Sequence, residues 1–128
     1  MLVVGSVLAV LAALLHVFIF YLESAGWTGP VAARVFGNTP EQAESTREMA
    51  FNQGFYNFFL AVETVVGVVF LIAGSTGIGA ALVLAGTGSM LAAATVLLVT
   101  SPDKRSAAVK QGTFPLLAVV FTVVGLLV

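Results

Sequence analysis

The chain has no cysteine, one histidine, one tryptophan, and five basic against six acidic residues in a length of 128. Without cysteine there is no disulfide, no thiolate chemistry, no iron–sulfur cluster and no cysteine zinc site. A net charge of -1 excludes the clustered lysine and arginine of a nucleic-acid footprint, so nucleic acid is not an expected partner. Charge as a whole is the scarcest commodity. Only 9% of residues are charged, against roughly 25% in an average soluble domain. Hydrophobic residues make up 59% and the mean hydropathy is +1.09, which leaves too little polar surface to cover a water-soluble fold of this size. The solvent this composition calls for is lipid.

What is present falls into four apolar runs, at about 2–22, 49–73, 80–100 and 107–127, each near the roughly 20 residues needed to cross a bilayer. The first begins at Leu2 without the basic start and small-residue cleavage site of a secretory signal, and is read as a retained helix. Gly74 to Gly79, GSTGIG, reads as a tight turn that returns the third run antiparallel beside the second, and SPDKR from Ser101 closes the third. The one long connection is 24–48. Trp27 within it reads as an interfacial anchor. Asn38 or Thr39 followed by Pro40, Glu41 and Gln42 has the form of a helix start, so a short interfacial helix is expected there, running into the second span. The expected fold is an all-α membrane protein: one domain, an antiparallel four-helix transmembrane bundle.

Arg34, Arg47, Lys104, Arg105 and Lys110 all fall on the side of the long loop and SPDKR, and none falls with the termini or the glycine turn. The positive-inside rule then puts the loop 24–48 in the cytoplasm and both termini outside a multi-pass protein of the cell membrane.

Polar groups inside hydrocarbon need an internal partner or water, so the few here are informative. His16 and Glu23 lie seven apart, two helical turns, on one face of the first helix. Asn52 pairs with Tyr56 and Gln53 with Asn57 at four-residue spacing on the second helix, and Glu63 continues the stripe toward mid-membrane. Gln111, beside Lys110, enters from the start of the fourth. The expectation is one polar pocket near the cytoplasmic side, walled by helices one, two and four. Each residue also has a plainer explanation: His16 as a cross-helix tie, Glu23 as a solvated span end, Asn52, Gln53 and Asn57 as helix caps, Tyr56 as an interfacial ring and Lys110 as a snorkelling cation. Their convergence favours the pocket.

The stretches LHVFIFYLESAGW (15–27), FNQGFYNFFLA (51–61) and KQGTFPLLAVV (110–120) resemble the small integral membrane proteins of domain-of-unknown-function family 1304. The resemblance spans nearly the whole chain, with NQGFYN its most specific part. It implies that His16, Glu23, Asn52, Gln53, Tyr56, Asn57 and Gln111 are recurring polar positions. The family carries no established activity, so the resemblance bears on fold and site.

Three functions compete. In the first, a small lipophilic molecule enters from the cytoplasmic leaflet, with His16, Glu23 and Glu63 as catalytic acid and base groups and Asn52, Gln53, Tyr56, Asn57 and Gln111 as binding groups. Isomerisation or hydration of an isoprenoid-like substrate would suit such groups. In the second, Glu63 couples protons to a small transporter or channel; in the third, the chain is an accessory subunit. Membrane lipid, a lipophilic ligand and a second copy of the chain are the partners the composition allows. No metal-ligand spacing and no cofactor motif is present.

Overall fold

Long apolar runs interrupted mainly by small residues form helices in lipid because backbone groups are then satisfied within the segment. The computed structural model describes residues 1–128 and contains four such helices: α1 (Leu2–Ser24), α4 (Arg47–Ile72), α5 (Thr76–Thr100) and α6 (Arg105–Leu127). Two short helices, α2 (Pro30–Phe36) and α3 (Pro40–Ser45), occupy the long connection, and a single 3₁₀ turn (Pro102–Lys104) precedes α6. The four long helices are long and apolar enough to cross a membrane. At about 1.5 Å per residue, the 23 residues of α1 cover the roughly 30 Å of a hydrocarbon core. Their outward faces carry large apolar side chains in the open, such as Val3, Phe59, Ile72 and Val99, as a surface solvated by lipid requires.

The order around the bundle is cyclic. α1 packs against α4 and α6, and α5 packs against the same two from the opposite corner. Small residues set the spacing. A Cβ placed on Gly5 would collide with Thr122 of α6, one on Gly67 with Val83 of α5, and one on Gly79 with the Leu71 backbone of α4. Close backbone approach at glycine is how helices associate where lipid provides no hydrophobic drive. Ala9, Val68, Val83 and Ala118, one from each long helix, close the centre of the half that holds the termini.

The first connection is more ordered than the sequence reading gives. Thr39 caps α3 as expected: its hydroxyl accepts from the Gln42 backbone N–H at 3.2 Å, and the Gln42 side chain accepts from the Thr39 N–H at 3.0 Å. α2 was not expected, although Pro30 opens it and Gly37, at φ 71°, closes it in the left-handed conformation that glycine tolerates. The glycine turn is also shorter than expected. Only Ala73 to Ser75 are non-helical, with Gly74 at φ 83°, and Gly77 and Gly79 belong to α5.

Candidate functional site

The packing register decides which polar residues meet. Gly54 of α4 lies against Phe20, Glu23 and Ser24 of α1, close enough that an added Cβ would sit 3.2 Å from the Glu23 Cβ. That approach brings Asn57, one turn further along α4, onto Glu23: the Asn57 amide donates to Glu23 Oε2 at 2.7 Å. Glu23 is buried, and this is the one side-chain hydrogen bond it makes. Phe20 packs on Phe55 and Phe58 beside it, with ring centroids 5.1 and 5.0 Å apart.

Gly54 and Ala61 mark the face of α4 turned to α1, and Asn52 and Tyr56 lie on its opposite face. Tyr56 is 65% exposed, and the Asn52 amide donates to the Glu48 carbonyl of its own helix at 3.3 Å. Gln53 is exposed as well. Glu63 is partly exposed at the outer edge of the α4–α5 seam and makes neither a hydrogen bond nor an ion pair. No cavity of the structure joins His16, Glu23, Asn52, Tyr56, Asn57 and Gln111. Helical spacing puts residues on a common stripe; which neighbour the stripe faces is set by where small residues let helices approach.

His16 and Gln111 lie at one level along the other seam of α1. Gly5 packs on Thr122 and Leu2 on Gly125, so α1 and α6 run antiparallel with residue numbers that sum to a constant. Eleven residues along from Gly5 is His16, and eleven back from Thr122 is Gln111, so equal rise per residue sets the two at one level. His16 is 2% exposed, and its Nδ1 donates to the Ala12 carbonyl at 2.9 Å, which makes Nε2 the lone-pair acceptor of the ring. Gln111 is half-buried. Pro115, inside α6, has no N–H to give the Gln111 carbonyl four residues back. The level therefore holds an imidazole acceptor, a side-chain amide and a backbone carbonyl without the usual donor four residues on.

A crevice of about 140 Å³ opens beside this level, between α1, α2 and α6. Leu15, Phe18, Ile19 and Leu22 form one wall, Ala107, Lys110 and Gln111 the other, and Val35 and Phe36 of α2 cover it. Its only polar lining residues are Lys110 and Gln111. α2 is held in place by Lys104, whose Nζ donates to the Phe36 carbonyl at 2.9 Å and to Asn38 Oδ1 at 3.1 Å, and by the Trp27 ring against Phe36. Trp27 Nε1 in turn donates to Thr46 Oγ1 at 3.1 Å. A second cleft of about 500 Å³ lies outside the bundle where α3 meets α4, among Ser24, Glu44, Ser45, Arg47, Glu48 and Phe51. Its 3.9 Å Arg47–Glu44 pair is solvated at both ends.

A family model described as protein of unknown function (DUF1304) matches residues 10–123 of the chain. The chain belongs to the DUF1304 family. No curated protein and no solved structure matches this DUF1304 protein. The matched residues include Glu23 and Asn57, His16 and Gln111, and all three elements that wall the crevice. Two contributors to the site escaped the sequence reading. The α2 cover was signalled by Pro30 and Gly37, and the freed Gln111 carbonyl by a proline four residues downstream.

Proposed function

We propose that this DUF1304 protein lies in the cell membrane with both termini outside the cytoplasm, and that the loop end of its bundle binds a small lipophilic molecule by a polar head. The observation that carries the reading is the α1–α2–α6 crevice, whose wall is almost wholly apolar and which lies at the end of the bundle where the polar side chains gather, as a site for a lipophilic molecule requires. Its volume is close to the roughly 150 Å³ of a cavity that takes benzene, so it accepts one end of a lipophilic molecule while the rest lies in lipid. Gln111 is the lining residue to hold the head; His16, buried at the same level, is not part of the crevice wall. Glu23 lies about 10 Å further along α1, too far to share one reacting atom with His16, and serves with Asn57 to hold α1 on α4.

Transport fits less well. The layer of Ala9, Val68, Val83 and Ala118 fills the centre of the terminal half with apolar side chains, and Glu63 has no polar partner through which a proton would pass.

The reading is tested by purification in mild detergent followed by native mass spectrometry and organic extraction. The wild type should retain a lipophilic adduct. Ala107→Phe, which fills the crevice, should lose it, and Gln111→Leu should hold it about tenfold more weakly through the lost hydrogen bond. Full retention by Ala107→Phe would remove the crevice from the account. For the orientation, cysteines placed at Ser45 and Ser106 should resist an impermeant reagent in intact cells; ready labelling there would reverse it.

A further inference from the structure

Five of the ten phenylalanines, Phe20, Phe51, Phe55, Phe58 and Phe59, form one patch on α1 and α4. An aromatic belt at a membrane interface would be shared among all the helices. Phe51, Phe55 and Phe59 follow one another along α4 with ring centroids 5.1 and 6.2 Å apart, and each is open to lipid. At 1.5 Å per residue the strip descends about 12 Å from the loop end of the helix. Its first ring, Phe51, is the one apolar wall of the cleft of about 500 Å³ at the α3–α4 corner. A polar cleft at the level of the helix ends thus continues into an apolar strip along the span.

The remaining walls of the cleft offer many acceptors and few donors. Ser24 Oγ is spent as a donor to the Phe20 carbonyl at 2.6 Å and Ser45 Oγ to the Gln42 carbonyl at 3.0 Å, so each hydroxyl turns only lone pairs to a ligand. Glu44 and Glu48 are acceptors as carboxylates, and Glu48 has no ion-pair partner. Arg47 alone donates. It faces Glu44 at 3.9 Å, beyond hydrogen-bond length, so its guanidinium N–H groups are free. Two carboxylates and two hydroxyl oxygens around one arginine are complementary to a ligand that brings a hydrogen-donating cation with an anion close beside it.

We infer that this cleft is a headgroup site for an aminophospholipid of the phosphoethanolamine type. Its primary ammonium sits on Glu44, Glu48 and the two serine hydroxyls, its phosphate on Arg47, and an acyl chain lies along the Phe51–Phe55–Phe59 strip. The head follows from the donor count: a primary ammonium has three N–H groups for these acceptors, whereas the quaternary ammonium of choline has none and a glycerol head brings no cation. The lipid follows from continuity, because the ring that walls the cleft is also the first ring of the strip. The cleft shares no residue with the α1–α2–α6 crevice, so this inference stands or falls apart from the function proposed above.

The full-length protein in mild detergent is presented with an equimolar mixture of phosphatidylethanolamine, its N,N-dimethyl form, phosphatidylcholine and phosphatidylglycerol, all with the same chains, and bound lipid is read by native mass spectrometry. Phosphatidylethanolamine should be bound about tenfold over phosphatidylcholine, the scale of a hydrogen bond to a charged group, with the dimethyl form between them. Glu44→Gln combined with Glu48→Gln should abolish that preference. Glu41→Gln, which changes an acid of α3 outside the cleft, should keep it, and Arg47→Gln should weaken all four lipids while leaving the ratio of the first to phosphatidylcholine unchanged. All four side chains are exposed, so these variants keep the fold. Equal binding of phosphatidylethanolamine and phosphatidylcholine to the wild type would overturn the inference, and so would phosphatidylglycerol ahead of both or a preference that survives the double variant. Glycerophosphoethanolamine, the head without chains, competing as well as the whole lipid would overturn the lipid as the ligand.

Discussion

The two ends of the bundle are built on different principles. In the half that holds the termini, helices touch through glycine and small apolar residues: Gly5 on Thr122, Gly67 on Val83, Gly79 on Leu71, around Ala9, Val68, Val83 and Ala118. No side-chain hydrogen bond crosses between helices there. In the loop half, contacts are long and directional. Glu23 meets Asn57, Phe20 meets Phe55 and Phe58, and Lys104 reaches across to Phe36 and Asn38. Both halves leave gaps beside these contacts: an apolar groove of about 460 Å³ between α1 and α4 in the terminal half, lined by Val3, Val7, Val68 and Leu71, and the crevice of about 140 Å³ under α2 in the loop half.

The contrast predicts unequal responses to substitution. The largest belongs to the terminal half. A Cβ on Gly79 would lie 2.6 Å from the Leu71 backbone nitrogen and 2.8 Å from the Gly67 carbonyl oxygen, atoms that move only with their helices. Gly79→Val should therefore lower stability by about 3 kcal/mol, the upper part of the overpacking range, measured by far-UV circular dichroism during denaturation in mixed micelles. A loss well below 1 kcal/mol would break the claim that this half is closed by backbone contact.

Next is the directional contact of the loop half. Asn57→Leu strips buried Glu23 of its one hydrogen bond and should cost about 1–2 kcal/mol, more than an average polar contact between membrane helices. Adding Glu23→Leu removes the unpaired acid and should restore most of that loss. Losses that simply add would show that the two side chains are not coupled, and would weaken the distinction between the halves.

Smallest of all is Glu63. It has no partner, so Glu63→Gln and Glu63→Leu should each change stability by less than about 1 kcal/mol in the same measurement. A fall of several kcal/mol on Glu63→Leu would reveal a contact at the α4–α5 seam that the static packing does not contain.

The sequence disclosed the fold more readily than the site, for a physical reason visible at particular residues. Four apolar runs must be helices in lipid, and the Thr39–Gln42 cap is a local bond that needs no knowledge of the rest of the chain. In the sequence Gly77 and Gly79 read as turn residues because glycine breaks helices in water. In this bundle Gly79 is a contact surface, and the helix runs through it. The same inversion misplaced Asn52 and Tyr56. Their spacing put them on one stripe, but Gly54 and Ala61, silent in a list of chemical groups, are the residues that turned α4 toward α1. Asn57 shares their face and meets Glu23; Asn52 and Tyr56 do not. The α2 cover over the crevice was not legible because it is packed in place by the distant Lys104 and Trp27.

The proposal to test is that the crevice between α1, α2 and α6, and not the larger apolar groove of about 460 Å³ between α1 and α4 at the terminal end, takes the ligand. The most direct measurement is a high-resolution map of the protein purified with native lipids retained. The account predicts elongated density in the α1–α2–α6 crevice, lined by Ile19, Phe36 and Ala107, that is stronger than any in the groove lined by Val7, Val68 and Leu71. A crevice empty or filled by side chains, with ordered density on the Glu63 edge of α4 instead, would contradict it.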